Sequence, residues 1–243
     1  MFFTLKKTDI ISCLMAIFVA LLTYTVVKSG CESIVVSALP FNGKIIVIDA
    51  GHGVPDGGAV GSNGTVEESL NLDIALKLQR MLEQSGAYVI LTRADENAVA
   101  EDLNAKIREI KRSDLKYRRN MRDNSDCDAF ISIHMNKFEQ QKYSGAQVFY
   151  SDSPQNSKIL GECIQKKLIS VADPQNARVA KVADSGIFIL KNSNVSSVIV
   201  ECGFLSNIEE EQKLGTEQYR EQLAYAIYHG ITDYFDVIKS DTE

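Results

Sequence analysis

The architecture of this chain is set by residues 44–53, which read KIIVIDAGHG. The run from Lys44 to Ile48 is rich in β-branched residues and predicts a buried strand. A glycine-rich loop from Gly51 to Gly64 follows directly. His52 lies between two glycines of this loop, which lets the backbone turn tightly and leaves the imidazole clear. The sequence therefore predicts a buried strand whose carboxyl end carries a histidine.

A helix and a second strand are predicted after this loop. Glu67 or Glu68 begins the helix, apolar residues recur along it at helical spacing, and Gly86 ends it. Residues 88–91 return as a strand. Strand, helix and strand in this order are typical of a βαβ unit, so the two strands should run parallel.

The rest of the chain continues this alternation. The further strands are predicted at residues 129–133, 147–150, 187–190 and 198–200, and the further helices at residues 157–169 and 219–234. The fold expected is α/β: one domain over residues 43–238, with a mostly parallel twisted sheet flanked by helices on both faces.

Residues 101–122 are highly charged, with both signs mixed. One interpretation is a solvated helix whose apolar residues face inward. A patch that binds polyanions is the more specific alternative. The acidic residues interleaved with the basic ones weaken this interpretation. The residues expected to face inward are Leu103, Ile107, Ile110 and Leu115.

The composition limits the classes of function. A formal net charge of −6 argues against nucleic acid as a partner. None of the five cysteines forms a CxxC pair, so neither a disulfide framework nor a cysteine zinc site is expected. With only three histidines in the chain, any histidine-based site has few candidate residues.

The N-terminal segment is predicted to direct the chain out of the cytoplasm. Residues 10–27 form an apolar run long enough to cross a membrane, and Lys6 and Lys7 before it predict a cytoplasmic N-terminus. An uncleaved membrane anchor and a signal cleaved after residues 36–38 are equal alternatives. Residues 30–42 resemble a linker, so residues 1–42 are expected to form a signal or anchor with its linker.

Three predicted strand ends carry residues suited to chemistry: His52, His134 and Glu201. Because the carboxyl ends of parallel strands meet at one edge of a sheet, these side chains should converge. Neutral imidazole suits zinc, and catalytic zinc typically keeps three protein ligands and a water. The third ligand should be a nearby carboxylate. Strand ends alone leave Glu67 and Glu68 open, since either also serves as a favourable charge at a helix N-terminus.

Six sequence blocks occur in order along the chain. They are DAGHG (49–53), DGGA (56–59), GTVE (64–67), LTR (91–93), SIHMN (132–136) and VECGFLSN (200–207). This ordered set resembles the zinc-dependent N-acetylmuramoyl-L-alanine amidases, the amidase_3 family, over residues 44–235.

The resemblance implies a role for each matching residue. In that family the two block histidines and the glutamate after the glycine loop bind one zinc ion, which implies His52, Glu67 and His134 as ligands. The glutamate of the last block is the catalytic acid/base and matches Glu201. The reaction implied is hydrolysis of the amide between N-acetylmuramic acid and L-alanine of the peptidoglycan stem peptide.

The chain departs from the family pattern at Ala50, where proline is frequent, and at Val54, where glycine is common. Neither departure removes a ligand. Our hypothesis is that Val54 alters the loop beside His52 and weakens metal retention.

The short layout, with no recognisable wall-binding repeats, resembles the CwlD-type amidases of endospore formers. That resemblance implies a role in spore-cortex maturation and germination, through formation of muramic lactam. A vegetative cell-wall amidase, a non-catalytic peptidoglycan-binding module and another zinc hydrolase, such as a deacetylase, are the alternatives. The long glycine-rich loop also allows a protein activator of unknown identity.

Several further residues are predicted to have supporting or structural roles. Asn136, Ser206 and Asn207 either orient the site or cap turns. Arg93 is expected to form a structural ion pair. His229 and Cys202 are expected to be structural.

Overall fold

The computed structural model describes residues 7–240 of the chain. Lys6 lies outside the described residues, as do the side chains of the predicted cleavage site at residues 36–38. The helices are α1 (Lys7–Ala38), α2 (Glu67–Gln84), α3 (Ile107–Asn124), α4 (Asn156–Lys167), α5 (Ile208–Leu214) and α6 (Glu217–Ser240), with a π-helical turn at Leu168–Ala172 after α4. The strands are β1 (Ile45–Ala50), β2 (Tyr88–Leu91), β3 (Ala129–Asn136), β4 (Gln147–Tyr150), β5 (Lys181–Val182) and β6 (Ser196–Phe204).

The six strands form one mixed sheet in the order β2-β1-β3-β6-β4-β5. Strands β2, β1, β3 and β6 are parallel, β4 is antiparallel to β6, and β5 is parallel to β4. This arrangement confirms the predicted α/β domain with a mostly parallel sheet. It also brings the carboxyl ends of β1, β3 and β6 to one edge, because these three strands are adjacent and parallel.

The two faces of the sheet are covered differently. Helices α2, α4 and α6 lie on one face and bury a large aliphatic core against alternate residues of β1, β3 and β6. A smaller cluster lies on the opposite face, where Val47, Phe130 and Ile199 meet Ile189 and Leu190. Helix α3 packs next to β1 at this second face.

The strand predicted at residues 187–190 was wrong. These residues form turns, and the edge strand β5 lies earlier, at Lys181–Val182. Ile189 and Leu190 are nevertheless buried, at 4% and 2% exposure, because they cover the sheet from outside it. A short apolar run marks burial without specifying strand geometry, which explains the error.

The orientation predicted for the charged helix was also wrong for three of its four residues. Leu103 precedes α3, and Leu103, Ile107 and Leu115 are 39%, 48% and 39% exposed. Ile110 is buried as predicted, and the residues buried with it on α3 are Asp114, Arg118 and Arg122. Buried partners for these charged side chains outweigh the simple preference of apolar residues for the interior.

The segment predicted as a linker is largely helical. Helix α1 continues to Ala38, and turns occupy the residues before β1. Pro40 explains where the helix ends, because a proline disfavours helical geometry in the residue before it. Within α1, Ile10–Lys28 has a mean hydropathy of 2.5 and is not buried, so its length and composition suit a membrane span or a signal sequence.

Candidate metal centre

The carboxyl end of β1 is built around a buried aspartate. Asp49 accepts hydrogen bonds from Thr92 Oγ1 at 2.7 Å, Ser132 Oγ at 2.5 Å and Arg118 Nη1 at 2.6 Å. Burial alone would raise the pKa of Asp49, but the charge of Arg118 and the two hydroxyl donors lower it below its usual value. Asp49 therefore anchors the strand end as a carboxylate.

Two buried arginines hold the loop that carries His52. His52 has a φ of +61°, a left-handed conformation that is uncommon outside glycine. Arg93 donates to the carbonyls of Ala50 and Gly51, at 2.8 and 3.0 Å, and Arg118 donates to those of Ala50 and His52, at 2.6 and 2.5 Å. These donors satisfy the carbonyls of the turn and so fix the imidazole in place.

Helix α2 begins where the glycine loop folds back on it. The backbone N–H of Glu67 donates to Ala59 O at 2.9 Å, and that of Glu68 donates to Gly57 O at 3.1 Å. Loop carbonyls thus satisfy the first free donors of the helix, in place of a capping side chain. The result places Glu67 directly beside the loop that carries His52.

His52, Glu67 and His134 come together at this edge of the sheet. Glu67 Oε1 lies 3.3 Å from His52 Nε2 and 3.0 Å from His134 Nδ1, and one ligand atom from each residue lies within 4.8 Å of the other two. Glu68 is turned away, with Oε2 3.8 Å from Arg93 Nη1. Of the two glutamates that strand ends alone could not distinguish, Glu67 is therefore the one that lies beside both histidines.

Glu67 is held as a carboxylate. It accepts hydrogen bonds from the backbone N–H of Ala59 at 2.8 Å and of Met135 at 3.0 Å, and from Asn71 Nδ2 at 3.3 Å. Burial alone would raise its pKa, but the two histidines lower the pKa well below its usual range. Glu67 therefore places a negatively charged carboxylate, fixed by these three hydrogen bonds, between the two imidazoles.

His52 is also oriented from its other nitrogen. Its Nδ1 lies 2.9 Å from Asp56 Oδ2, and Asp56 in turn pairs with Lys111 Nζ at 2.9 Å. Burial lowers the pKa of His52, but hydrogen bonds to Asp56 and Glu67 outweigh it and raise the pKa to about 9. A carboxylate behind an imidazole is the usual support of a metal-binding histidine.

The residues present fit a zinc ion. Two imidazoles and one carboxylate are the donor set of many catalytic zinc sites. The backbone also makes room for them, since a Cβ at Gly51 would lie 2.3 Å from the His134 ring. No other group of three potential ligands of this kind is found among the side chains that the structure describes.

Glu201 lies beside this centre. Strand pairing sets Glu201 of β6 opposite His134 of β3. Its Oε2 is buried, and no hydrogen-bond partner for it is present among the described residues. Burial raises the pKa of Glu201 to about 7, while the nearby histidines oppose the rise. A carboxyl that titrates near neutral pH is suited to exchange protons during a reaction.

Some supports of the centre were not anticipated. Asp56, Lys111 and Arg118 had no role in the sequence-based interpretation, although Asp56 lies in a matched block four residues after His52. Glu211 of α5 also ties down the far end of the glycine loop, accepting from the backbone N–H groups of Asn63 at 2.9 Å and Thr65 at 3.3 Å.

The remaining polar residues mostly have local roles. Asn207 caps α5 by accepting from the N–H groups of residues 209 and 210, and Ser206 accepts from Phe138 N at 3.2 Å. Arg93 makes the structural contacts described above. Cys202 is buried, and His229 lies on α6 against Tyr225, outside the metal centre.

The backbone of Val54 pairs with residues 96 and 98. Its proposed effect on metal retention stays a prediction.

Similar proteins share this architecture. The profile described as N-acetylmuramoyl-L-alanine amidase (Amidase_3) matches residues 46–233. The chain is 33% identical over 230 residues to the germination-specific N-acetylmuramoyl-L-alanine amidase of Bacillus subtilis (strain 168), covering 95% of this chain and 96% of that protein. It is also 33% identical over 198 residues to the N-acetylmuramoyl-L-alanine amidase LytC of the same organism, covering 81% of this chain and 36% of that protein.

Among solved structures, the CwlD amidase from Clostridioides difficile in complex with the GerS lipoprotein is similar to this chain. Its TM-score is 0.77 at 46% sequence identity, and the match covers 80% of this chain and 99% of that one.

Proposed function

The chain belongs to the N-acetylmuramoyl-L-alanine amidase family (Amidase_3). We propose that it hydrolyses the amide bond between N-acetylmuramic acid and L-alanine of peptidoglycan, at the centre formed by His52, Glu67, His134 and Glu201. The observation that carries the proposal is the convergence of two imidazoles and a carboxylate on one point, with a partnerless buried carboxyl oxygen beside them. A silent binding module has no evident need to keep such a costly arrangement of buried polar groups.

His52, Glu67 and His134 would hold one zinc ion. A bound zinc ion supplies Lewis acidity, which lowers the pKa of a bound water from about 16 towards 7 and polarises the scissile carbonyl. The protein orients two of these ligands in advance, through Asp56 on His52 and the backbone donors on Glu67.

Glu201 acts as the acid/base. Its carboxylate accepts a proton from the attacking water and then delivers that proton to the leaving nitrogen of L-alanine. The pKa of about 7 supports both halves of this task, since neither the protonated nor the ionised form is strongly disfavoured at neutral pH. Its buried oxygen is free to make the hydrogen bond that the transfer requires.

Analysis of the products from purified muropeptides tests the reaction. The full chain should release free stem peptides, and a chelator should abolish the release. Free acetate would instead indicate a deacetylase, and the absence of any product would favour a binding module. Either of these two results would contradict the proposed reaction.

Metal content tests the ligand assignment with a matched pair of variants. Glu67→Gln should lose bound zinc, whereas Glu68→Gln should retain it, because Glu68 contacts Arg93 instead of the histidines. Equal zinc occupancy in both variants would refute the assignment of Glu67.

We further propose that the amidase acts in maturation of the spore cortex, where removal of stem peptides precedes muramic-lactam formation. The similarity to a germination-specific amidase and to the CwlD amidase supports this role over that of a vegetative amidase. The lactam content of spores from a deletion strain tests it, and a normal content would reject the cortex role.

The site of action proposed is the outer side of a membrane, in the spore envelope, with the apolar segment of α1 as signal or anchor. A protein partner is proposed as well, since the similar CwlD amidase was solved with a lipoprotein. Fractionation of cells that express the tagged chain tests the location, and recovery in the cytoplasm would contradict it.

A further inference from the structure

Helix α3 presents a basic, partly apolar groove to solvent. Its charged buried side faces β1, so the opposite side exposes Leu115 together with several cationic side chains. Phe188, from the turns that follow β5, adds an aromatic ring at 39% exposure. The groove has a volume of about 750 Å³ and is lined by Arg108, Glu109, Lys111, Arg112, Leu115, Lys116 and Phe188.

The acidic residues of α3 do not neutralise this groove. Asp114 is buried and pairs with Arg118 at 2.6 Å, and Asp123 pairs with Arg122 at 2.6 Å at the far end of the helix. Only Glu109 remains in the groove. Of the three acidic residues on α3, only Glu109 therefore counts against an anion site in the groove.

Three cations of the groove have no acidic partner. Within the described part of the chain, Arg108, Arg112 and Lys116 form no ion pair, and their side chains donate no hydrogen bond. All three residues are exposed. Their donors are thus available to a ligand that carries carboxylates.

The groove adjoins the metal centre. A smaller cavity of about 150 Å³ is lined by His52 and His134, and it shares Lys111 and Leu115 with the groove. Lys111 Nζ also contacts Asp56, the carboxylate that orients His52, at 2.9 Å. A substrate whose scissile bond lies at the metal centre therefore lies next to the groove on α3.

We propose that this groove binds the carboxylate-bearing stem peptide of the substrate, with Arg108 and Arg112 pairing its carboxylates. The inference rests on the proposed amidase function, since it specifies which part of the substrate lies on α3. The leaving peptide carries at least its terminal carboxylate, and the groove is cationic although the chain is acidic overall. Leu115 and Phe188 offer apolar surface to the aliphatic parts of the peptide.

Two synthetic muropeptides test the proposal, one with free carboxylates on the stem peptide and one with the same carboxylates amidated. The double variant Arg108→Gln/Arg112→Gln should raise KM for the free-carboxylate substrate about tenfold with little change in kcat. Its KM for the amidated substrate should stay at the wild-type value. Lys111 is left intact because it contacts Asp56.

A double variant of equal charge change provides the control. Arg80→Gln/Lys181→Gln removes two exposed cations that lie outside both cavities, and it should leave the KM of both substrates unchanged. Added salt should raise the wild-type KM for the free-carboxylate substrate and have little effect in the groove variant.

An equal loss on both substrates, or no loss on either, would overturn the proposal and leave the groove to another occupant. Should the wild-type chain prove inactive, the amidase function fails, and calorimetry with the free stem peptide still decides the inference. Binding that is lost only in the groove variant supports it, whereas equal binding in wild type and groove variant contradicts it.

Discussion

The two faces of the sheet are stabilised by different chemistry. On one face, α2, α4 and α6 bury aliphatic side chains such as Leu78 and Ile164. On the other, α3 buries Arg118 against Asp49 and Asp114, with distances of 2.6 Å to both carboxylates. The apolar face is held by packing that tolerates many residues of similar size, whereas the charged face depends on specific pairs.

The charged face reaches the metal centre directly, whereas the apolar face contributes to it only through Glu67 at the start of α2. Arg118 contacts both Asp49 and the carbonyl of His52, so the same side chain joins the interior to the ligand loop. Losing an aliphatic side chain from the core of the apolar face should therefore lower stability alone. Losing one on the charged face should lower stability and metal retention together.

The largest expected effect lies at the centre itself. Glu201→Gln should lower kcat by about 100- to 10,000-fold, because an amide cannot accept and return the proton. Zinc content should stay at the wild-type level, since Glu201 is not among the clustered ligands. Glu68→Gln serves as the matched control and should keep its activity. Undiminished turnover in Glu201→Gln would refute the assigned role.

Arg118→Met tests the charged face. The substitution leaves Asp49 and Asp114 buried without their partner, and the expected loss is about 3–5 kcal/mol in the free energy of unfolding. Bound zinc per folded molecule should also fall, because the carbonyl of His52 loses its donor. Urea unfolding and metal analysis measure the two effects. If Arg118→Met lost stability but kept full zinc occupancy, the charged face would not support the metal centre, and the contrast between the two faces would fail.

Leu78→Ala tests the apolar face, and its expected loss of stability is similar to that of Arg118→Met. Leu78 is fully buried on α2, and its truncation should cost about 2–5 kcal/mol in the free energy of unfolding. Zinc content and kcat per folded molecule should match wild type at a temperature where the variant is folded. Reduced zinc binding in this variant would show that any loss of stability disturbs the centre.

The pH dependence of stability tests the burial of Glu201 in the metal-free protein. Its pKa is about 7 in the folded chain and 4.5 as the reference value, so the unfolded chain releases the proton first as pH rises. Wild type should therefore lose stability relative to Glu201→Gln between pH 4.5 and 7, by about 3 kcal/mol at most. Urea unfolding at pH 4 and pH 8, with chelator present, measures the difference.

Leu78→Ala is the reference for this measurement, since it changes no titratable group. Its difference from wild type should be similar at both pH values. A Glu201→Gln difference that is equally independent of pH would contradict a raised pKa in the folded chain.

The same contrast explains what the sequence could predict. The choice of Glu67 over Glu68 came from the family resemblance. Short apolar runs located β2 and β4 with the bounds that the structure has, and strand-end logic brought His52, His134 and Glu201 to one edge of the sheet. Both depend on local pattern and on the geometry of parallel strands. They work best for the apolar face and for the edge where those strands end.

The burial of charged residues on α3 could not be predicted from these patterns. Residues 110, 114, 118 and 122 recur every four positions along α3, yet three of them are charged and were assigned to solvent. Their burial depends on partners in other elements, such as Asp49 for Arg118 and the carbonyl of Ile189 for Arg122. A pattern of hydrophobicity contains no information about such distant pairs, so the support of the His52 loop emerged only from the fold.

The smallest expected effect concerns the link between α3 and the ligand histidine. Asp56→Asn keeps the size of the side chain but removes the charge that orients His52 Nδ1 at 2.9 Å. Zinc affinity should fall by about 10- to 100-fold. Competition with a chelator of known affinity measures it. If Asp56→Asn bound zinc as tightly as wild type, His52 would be oriented by its arginine-bound backbone alone, and the charged face would support the centre only through Arg118.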